Sequence, residues 1–85
     1  MHIEKILKAV ANKRRLKILK HLDSHGLSHV GSISRAIGLS MKATSKHLQI
    51  LSSVDLVTKE QKSLFVYYDL SSAVPIYITQ ILEDL

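Results

Sequence analysis

The sequence predicts a mainly α fold of about five helices with one small two-stranded β-hairpin. Apolar residues recur at intervals of three and four along most of the chain, which is the spacing of amphipathic helices. Aromatic residues make up only 5% of the chain and Trp is absent, so the core must be mostly aliphatic side chains packed between helices. Because 85 residues are too few for two independent cores, residues 1–85 are predicted to form one domain.

The first two helices are indicated by their apolar spacing and by a break between them. Four apolar residues fall at i, i+3, i+4 and i+7: Ile3, Ile6, Leu7 and Val10. This pattern predicts a helix over residues 3–11. Asn12 interrupts the pattern and can cap a second helix, whose apolar residues are Leu16, Ile18, Leu19 and Leu22. That helix should end near Asp23, because residues 24–26 form a breaker cluster.

The next two helices flank a tight turn that contains Gly38. A short strand is expected at residues 27–28, and a third helix should begin near His29 or Val30 and end at Ile37. Gly38 suits the left-handed position after a helix, and Ser40 is a good N-cap for a fourth helix over residues 40–51. Two short helices joined by such a turn are typical of a helix-turn-helix, whose second helix enters the major groove of DNA.

The fourth helix has one apolar and one cationic face. Thr44, Leu48 and Leu51 recur at i, i+4 and i+7 and should be buried. The opposite face lacks carboxylates, and with the cap it gives the candidate DNA-binding residues Ser40, Met41, Lys42, Ala43, Ser45 and Lys46. Lys42 and Lys46 lie four residues apart and repel each other by a few tenths of a kcal/mol. Contact with DNA explains this arrangement better than helix stability does. The alternative is a solvated helix surface that contacts nothing.

A hairpin and a last helix complete the predicted fold. The hairpin, here called the wing, spans residues 57–70, and its second arm places Leu64, Val66, Tyr68 and Leu70 on one face. Its tip, residues 60–63, has no Gly, so a loop longer than two residues is expected. Lys59 and Lys62 on the wing should reach backbone phosphates. Pro75 stands where a helix can start, and the apolar residues after it are Ile76, Tyr77, Ile81, Leu82 and Leu85.

Charge and composition limit the partners of the chain. Twelve Lys plus Arg against seven Asp plus Glu give a formal net charge of +5, which suits a polyanionic partner but does not demand one. The absence of Cys fits a reducing compartment. The first residues mix charged with apolar side chains, and no apolar run approaches the roughly 20 residues that span a bilayer. A soluble, cytoplasmic protein without a membrane contact is expected.

Metal and catalytic sites are not expected. His21, His25 and His29 are spaced by four, but the breaker cluster should separate them, and no Cys completes a metal site. No nucleophile with an adjacent base, no carboxylate pair in an apolar setting and no phosphate-binding Gly loop is evident, so we expect no cofactor and no enzyme. We expect the His47 side chain to be packed and hydrogen-bonded, and not to contact a DNA base.

The second helix begins with four cations, Lys13, Arg14, Arg15 and Lys17, where the helix dipole disfavours positive charge. One interpretation pairs Arg15 with a carboxylate and leaves the others solvated. The other interpretation is direct contact with DNA.

Several segments together resemble a known family along nearly the whole chain. They are residues 11–19, Ala-Asn-Lys-Arg-Arg-Leu-Lys-Ile-Leu; the turn at residues 37–40; residues 45–51, Ser-Lys-His-Leu-Gln-Ile-Leu; residues 56–57; and residues 66–70, Val-Tyr-Tyr-Asp-Leu. In this order and spacing they resemble an ArsR-type winged helix-turn-helix transcriptional regulator. The resemblance implies a homodimer on a partly palindromic operator, with the first and last helices at the dimer interface.

The chain departs from metal-sensing members of that family. Its third helix has no Cys-x-Cys motif, and its last helix offers Glu83 and Asp84 but no His. The tip of the wing also lacks the Arg and Gly that the family often has there.

We therefore predict a double-stranded DNA-binding transcriptional regulator, most simply a repressor, that acts as a homodimer; the sequence identifies no effector. The alternative is a winged helix that docks on another protein and binds DNA weakly or not at all. The two chain ends hold more apolar residues than a core of this size can cover, and these are the predicted dimer interface: Ile3, Ile6, Leu7, Val10, Ile76, Ile81, Leu82 and Leu85. A monomer that packs both end helices internally is the competing possibility.

Overall fold

Five α-helices and a three-stranded antiparallel sheet make up the computed structural model, which describes residues 2–85. In chain order the elements are α1 (Ile3–Val10), α2 (Lys13–His25), β1 (Ser28–His29), α3 (Val30–Ile37), α4 (Met41–Ser53), β2 (Val57–Lys62), β3 (Phe65–Leu70) and α5 (Ile76–Glu83). The predicted mainly helical winged helix-turn-helix fold is confirmed. Within residues 2–85, every helix is too short or too polar to cross a membrane.

Local side-chain bonds explain why the helices begin and end where they do. The Asn12 side chain accepts the backbone N–H groups of Arg14 and Arg15, each at 3.0 Å, and so caps α2 as predicted. The predicted end of α2 near Asp23 is two residues early, because α2 continues to His25. Gly26, the residue after α2, takes a positive φ of 74°, which turns the chain away from the helix axis.

The sheet has one strand more than the predicted hairpin. β1 pairs with β3 through Ser28 opposite Tyr68 and His29 opposite Tyr67, so β3 is the central strand of the order β1-β3-β2. A strand of two residues is too short for its sequence pattern to show which strand it will pair with. The pairing places the start of α3 directly beside the wing.

The tip of the wing is tighter than predicted. Lys62 pairs with Phe65, so Ser63 and Leu64 alone form the turn, and the expected longer loop is wrong. Ser63 has φ 56°, the left-handed conformation that Gly usually supplies in such turns. Leu64 is 89% exposed and lies in the turn before β3, rather than on the face that was predicted for it together with Val66, Tyr68 and Leu70.

The core lies between the helices and one face of the sheet. Its most enclosed apolar side chains are Ile6 of α1, Ile18, Leu19 and Leu22 of α2, Ile33 of α3, Leu48 and Leu51 of α4, Leu56, and Ile78 and Leu82 of α5. α5 packs on α2 through Ile78 and Leu82, whereas the predicted apolar stripe of α5 included Ile76 and omitted Ile78. Pro75 is the N-cap rather than the first helical residue, and Ile76 in the first turn projects into solvent.

Candidate nucleic-acid interface

The α3–α4 pair has the geometry of a helix-turn-helix. Gly38 ends α3 in the left-handed conformation, φ 73° and ψ 35°, and its N–H donates to the carbonyl oxygen of Ser34. Ser40 then caps α4 by accepting the N–H of Ala43 at 3.1 Å. The Thr44 hydroxyl donates to the Ser40 carbonyl oxygen at 2.8 Å, so both side chain and carbonyl of Ser40 hold the first turn of α4.

The two faces of α4 are separated as the sequence predicts. Thr44, Leu48 and Leu51 are fully buried and fix α4 against the core. On the other side Met41, Lys42 and Lys46 are exposed, and Ala43 and Ser45 are half-buried. Because α4 contains no Asp or Glu, its outer face presents positive charge without an acid on the same helix.

Lys59 of the wing lies beside α4. It stands opposite Tyr68 in the β2–β3 pairing, on the face of the wing that also carries Val66 and Gln61. A crevice of about 240 Å³ separates this face from α4 and is lined by Met41, Ser45 and Gln49 on α4 and by Lys59, Leu64 and Val66 on the wing, with His29, Val30 and Tyr68 at its base. The wing therefore adds one cation directly to the outer face of α4.

The structure separates Lys62 from Lys59. Three positions apart on one strand, the two side chains leave opposite faces of the wing. The Lys62 ammonium lies 3.8 Å from a Glu60 carboxylate oxygen and 5.7 Å from the centre of the Tyr67 ring. Its charge is thus partly offset, whereas the charge of Lys59 faces α4.

Gln49 is a candidate site residue that the sequence interpretation missed. It is exposed and lines the same crevice as Met41 and Ser45, which precede it by eight and four positions. Helical spacing from those two residues is the signal that could have identified it. Its amide can both donate and accept hydrogen bonds, as base edges in the major groove require.

His29 joins the start of α3 to the wing. Its Nδ1 accepts the N–H of Gly31 at 3.0 Å and so caps α3, while its ring packs edge-on against Phe65 and Tyr67, with centroids 5.0 and 5.6 Å away. A Cβ on Gly31 would lie 2.9 Å from the His29 ring, so a larger residue at that position would require the ring to shift. His29 is therefore a structural link between the helix-turn-helix and the wing.

His21 and His25 lie on one face of α2, contrary to the prediction that residues 24–26 would break the helix between the histidines. Their rings stack with centroids 4.3 Å apart. His29 is not part of this pair, because it belongs to β1. In the part of the chain that the structure describes, no three or more His, Cys, Asp or Glu side chains come close enough to hold a metal ion.

Arg15 connects α1, α2 and α4. One interpretation of the sequence paired it with a carboxylate, but the ion pairs within residues 2–85 are those of Lys8 with Glu4 and of Lys62 with Glu60. Its Nε donates to the carbonyl oxygen of Ala9 at the end of α1, and its Nη1 lies 3.3 Å from Nδ1 of His47 on α4. A guanidinium can only donate, so His47 must accept with an unprotonated Nδ1. The predicted packed, hydrogen-bonded His47 is confirmed.

We expect the stability of the fold to decrease in mild acid. Burial and the neighbouring Arg15 and Arg14 guanidinium groups lower the pKa of His47, and burial and His25 lower the pKa of His21, both from the ordinary value of 6.5. Well above pH 6.5 both groups are neutral in the folded and unfolded chain, and the full stability is present. As the pH falls from 6.5 toward the lower folded pKa values, the unfolded chain binds protons first and folding stability is lost.

Urea unfolding at pH 7.5 and at pH 5 measures this loss. The double variant His21→Gln/His47→Gln should lose less stability between the two pH values than the unmodified chain. An identical pH dependence in both proteins would contradict the role given to these two histidines.

The predicted dimer residues fall into two groups. Ile6, Val10 and Leu82 lie in the core of the single chain and have almost no surface left for a partner. The other five are exposed: Ile3, Leu7, Ile76, Ile81 and Leu85. Leu85 also borders a cleft of about 800 Å³ whose lining includes Leu16 and Ile37, so the chain leaves apolar surface open beside the end of α5.

Comparison with known proteins agrees with this geometry. A family model described as bacterial regulatory protein, arsR family, matches residues 12–59. The transcriptional activator HlyU of Vibrio cholerae is 45% identical over 67 residues, which are 79% of this chain and 61% of HlyU. The arsenical resistance operon repressor of Bacillus subtilis is 35% identical over 68 residues, 80% of this chain and 65% of the repressor. The chain thus spans less than two thirds of the length of either relative.

Solved structures extend the similarity to nearly the whole chain. Reduced HlyU from Vibrio cholerae matches with a TM-score of 0.80 and 37% identity, covering 96% of this chain and 82% of that one. The winged helix-turn-helix domain of Mb0332 from Mycobacterium bovis, described as homodimeric and DNA-binding, matches with a TM-score of 0.80 and 30% identity, covering 95% of this chain and 71% of that one.

Proposed function

Because this chain belongs to the ArsR family of bacterial regulatory proteins, we propose that it is a homodimeric, sequence-specific double-stranded DNA-binding protein that represses transcription. The observation that carries the proposal is the outer face of α4. It is held rigidly by a buried stripe, is cationic, contains no carboxylate and is flanked by Lys59. The proposal includes a cytoplasmic location, where bacterial DNA lies, and no cofactor.

In this proposal α4 enters the major groove. The residues that face the groove are Ser40, Met41, Lys42, Ala43, Ser45 and Lys46. Lys42 and Lys46 are positioned for guanine edges or phosphates, although Lys lacks the two-pronged hydrogen bonding of Arg and favours phosphate. Lys59 contacts a backbone phosphate from the wing. Lys62 makes a weaker phosphate contact, because the Glu60 carboxylate competes for its ammonium group.

The homodimer is proposed from the exposed apolar side chains of the two chain ends. Ile3 and Leu7 on α1, with Ile76, Ile81 and Leu85 at α5, are the surface that a second copy would cover. A two-fold symmetric dimer sets its two recognition helices about 34 Å apart, one turn of duplex, so the operator would be partly palindromic. The Mb0332 domain, which is described as homodimeric, supports this arrangement.

The second candidate function is docking on another protein through the same face. Met41 and Ile50 of α4 and Leu64 of the wing are exposed apolar side chains, which suit a protein partner better than they suit phosphates. Salt dependence separates the two functions. Phosphate contact makes log affinity fall linearly and steeply with log salt, and docking on a protein has no such requirement.

We expect Lys46→Ala to weaken DNA binding and to change its salt dependence. If Lys46 neutralises a phosphate, affinity falls about equally for a selected operator and for random duplex, and the slope of log affinity against log salt decreases by about one for each bound subunit, or about two per dimer. If Lys46 reads a base, the operator loses more than random duplex does. Titrations at several salt concentrations, with the operator selected from a random DNA pool, distinguish these results.

Lys8→Ala is the matched control, because the Lys8 ammonium is exposed and lies 3.1 Å from the Glu4 carboxylate. It should leave affinity and slope close to those of the unmodified chain. Unchanged affinity and slope in the Lys46→Ala variant would mean that α4 does not face DNA, and would favour the protein-docking function.

A further inference from the structure

A cationic crevice lies next to the turn of the helix-turn-helix and outside the interface described above. It has a volume of about 350 Å³ and lies between the first turns of α2 and the end of α3, lined by Asn12, Lys13, Arg14, Lys17, Ile37, Gly38 and Leu39. Lys13, Arg14 and Lys17 are all exposed, and no acidic side chain lines the crevice. Its wall ends at Leu39, directly before Ser40, the N-cap of α4.

Fold stability does not explain these three cations. Lys13 and Arg14 stand in the first turn of α2, where the positive end of the helix dipole opposes them, and Lys17 follows in the second turn. The ion pairs within residues 2–85 are Lys8 with Glu4 and Lys62 with Glu60, so none of the three is neutralised by a carboxylate. Their neighbour Arg15, by contrast, is engaged with Ala9 and His47.

The charge available in the crevice comes from side chains rather than from the end of the helix. The Asn12 side chain already accepts the N–H groups of Arg14 and Arg15, which removes two of the backbone donors that an anion could use. Two lysines and one arginine, all exposed to solvent, therefore supply the attraction. Such a set fits a phosphate on an extended backbone better than it fits a small ligand that must be enclosed.

We propose that Lys13, Arg14 and Lys17 form a second phosphate-binding surface, which holds the DNA backbone flanking the groove that α4 enters. This inference rests on the proposed function and deepens it. The N-terminal end of a recognition helix contacts bases, and the backbone borders the groove on either side of that end. The turn at Gly38 and Leu39 lies at that end of α4, so the crevice beside it lies where the backbone passes.

The expected role of this surface is to position α4 rather than to read sequence. Contacts to phosphates fix register and orientation on the duplex but carry no direct sequence information. Loss of the surface should therefore reduce affinity for every duplex by a similar factor. Discrimination between operator and random duplex should remain with α4.

The test compares two double variants of equal charge. Arg14→Gln/Lys17→Gln removes two cations of the surface, and Lys5→Gln/Lys8→Gln removes two exposed cations of α1. For the first variant we expect the slope of log affinity against log salt to decrease by about two for each bound subunit, or about four per dimer. Near 0.1 M salt its affinity should fall roughly ten- to a hundred-fold, equally for a selected operator and a random duplex of the same length. The α1 variant should change the slope by less than half a unit.

Two results would overturn the inference. Equal slope changes in both double variants would mean a general effect of net charge, and a loss confined to the operator would mean that the surface reads bases. Urea unfolding provides a separate measurement, because removing cations from the start of α2 should not lower its stability. If the unmodified chain bound no duplex at all, the proposed function itself would be refuted. That result would appear before any variant is made, so it is distinguishable from failure of this inference.

Discussion

The double variant Leu7→Glu/Ile81→Glu should be a folded monomer that binds its operator roughly 10²- to 10⁴-fold more weakly than the unmodified chain. Leu7 is 43% exposed and Ile81 is 38% exposed, so the new carboxylates can reach solvent in the single chain. In the proposed dimer the same carboxylates would be buried without partners and would separate the two copies. Each copy would then bind one half-site alone and lose the effective concentration that links the two half-sites.

Leu27→Glu is the matched control, because Leu27 is 39% exposed, lies between α2 and β1 and belongs to neither end helix. It should leave assembly and operator affinity unchanged. Sedimentation equilibrium at tens of micromolar measures the assembly state, and circular dichroism confirms folding. An unmodified chain that is monomeric under these conditions would refute the proposed dimer.

Burial in the single chain decides which substitutions can test dimer formation. Ile6 and Leu82 belong to the predicted interface, but they are 2% and 0% exposed in the single chain. A Glu at either position would place a charge in the core and unfold the domain. Loss of dimer in such a variant would say nothing about the interface.

Leu48→Ala should lower the free energy of unfolding by about 2–5 kcal/mol, and it should also lower the affinity for DNA. Leu48 is fully buried and is part of the core cluster between α4 and the other helices, so truncation leaves a cavity as well as losing apolar burial. A domain of this kind has a total stability of only about 5–15 kcal/mol. The variant would therefore lie close to its unfolding threshold, and α4 would lose the contact that sets its orientation.

Ile50→Ala is the matched control on the same helix, because Ile50 is 42% exposed. Its cost should be below about 1 kcal/mol, as for most surface changes. Urea unfolding monitored by circular dichroism gives both values. Equal losses in the two variants would contradict the assignment of Leu48 to the inner face of α4.

Much of the fold was predictable because it depends on local interactions. The caps at Asn12 and Ser40 and the left-handed Gly38 are bonds and conformations within a few residues, which short sequence patterns encode. The buried stripe of α4 follows from the helical period alone. The sequence by itself therefore determined the helices, the helix-turn-helix and the cationic outer face of α4.

Contacts between distant residues had to come from the tertiary structure. The pairing of β1 with β3 and the link from Arg15 to His47 join distant segments whose patterns are too short to identify their partners. For the same reason, the sequence could not show which side chains at the chain ends are buried and which are exposed. Helical spacing places residues of α1 and α5 on one stripe, but which of them are buried depends on how closely α2 and α4 approach, and that is set by the packing of the whole chain.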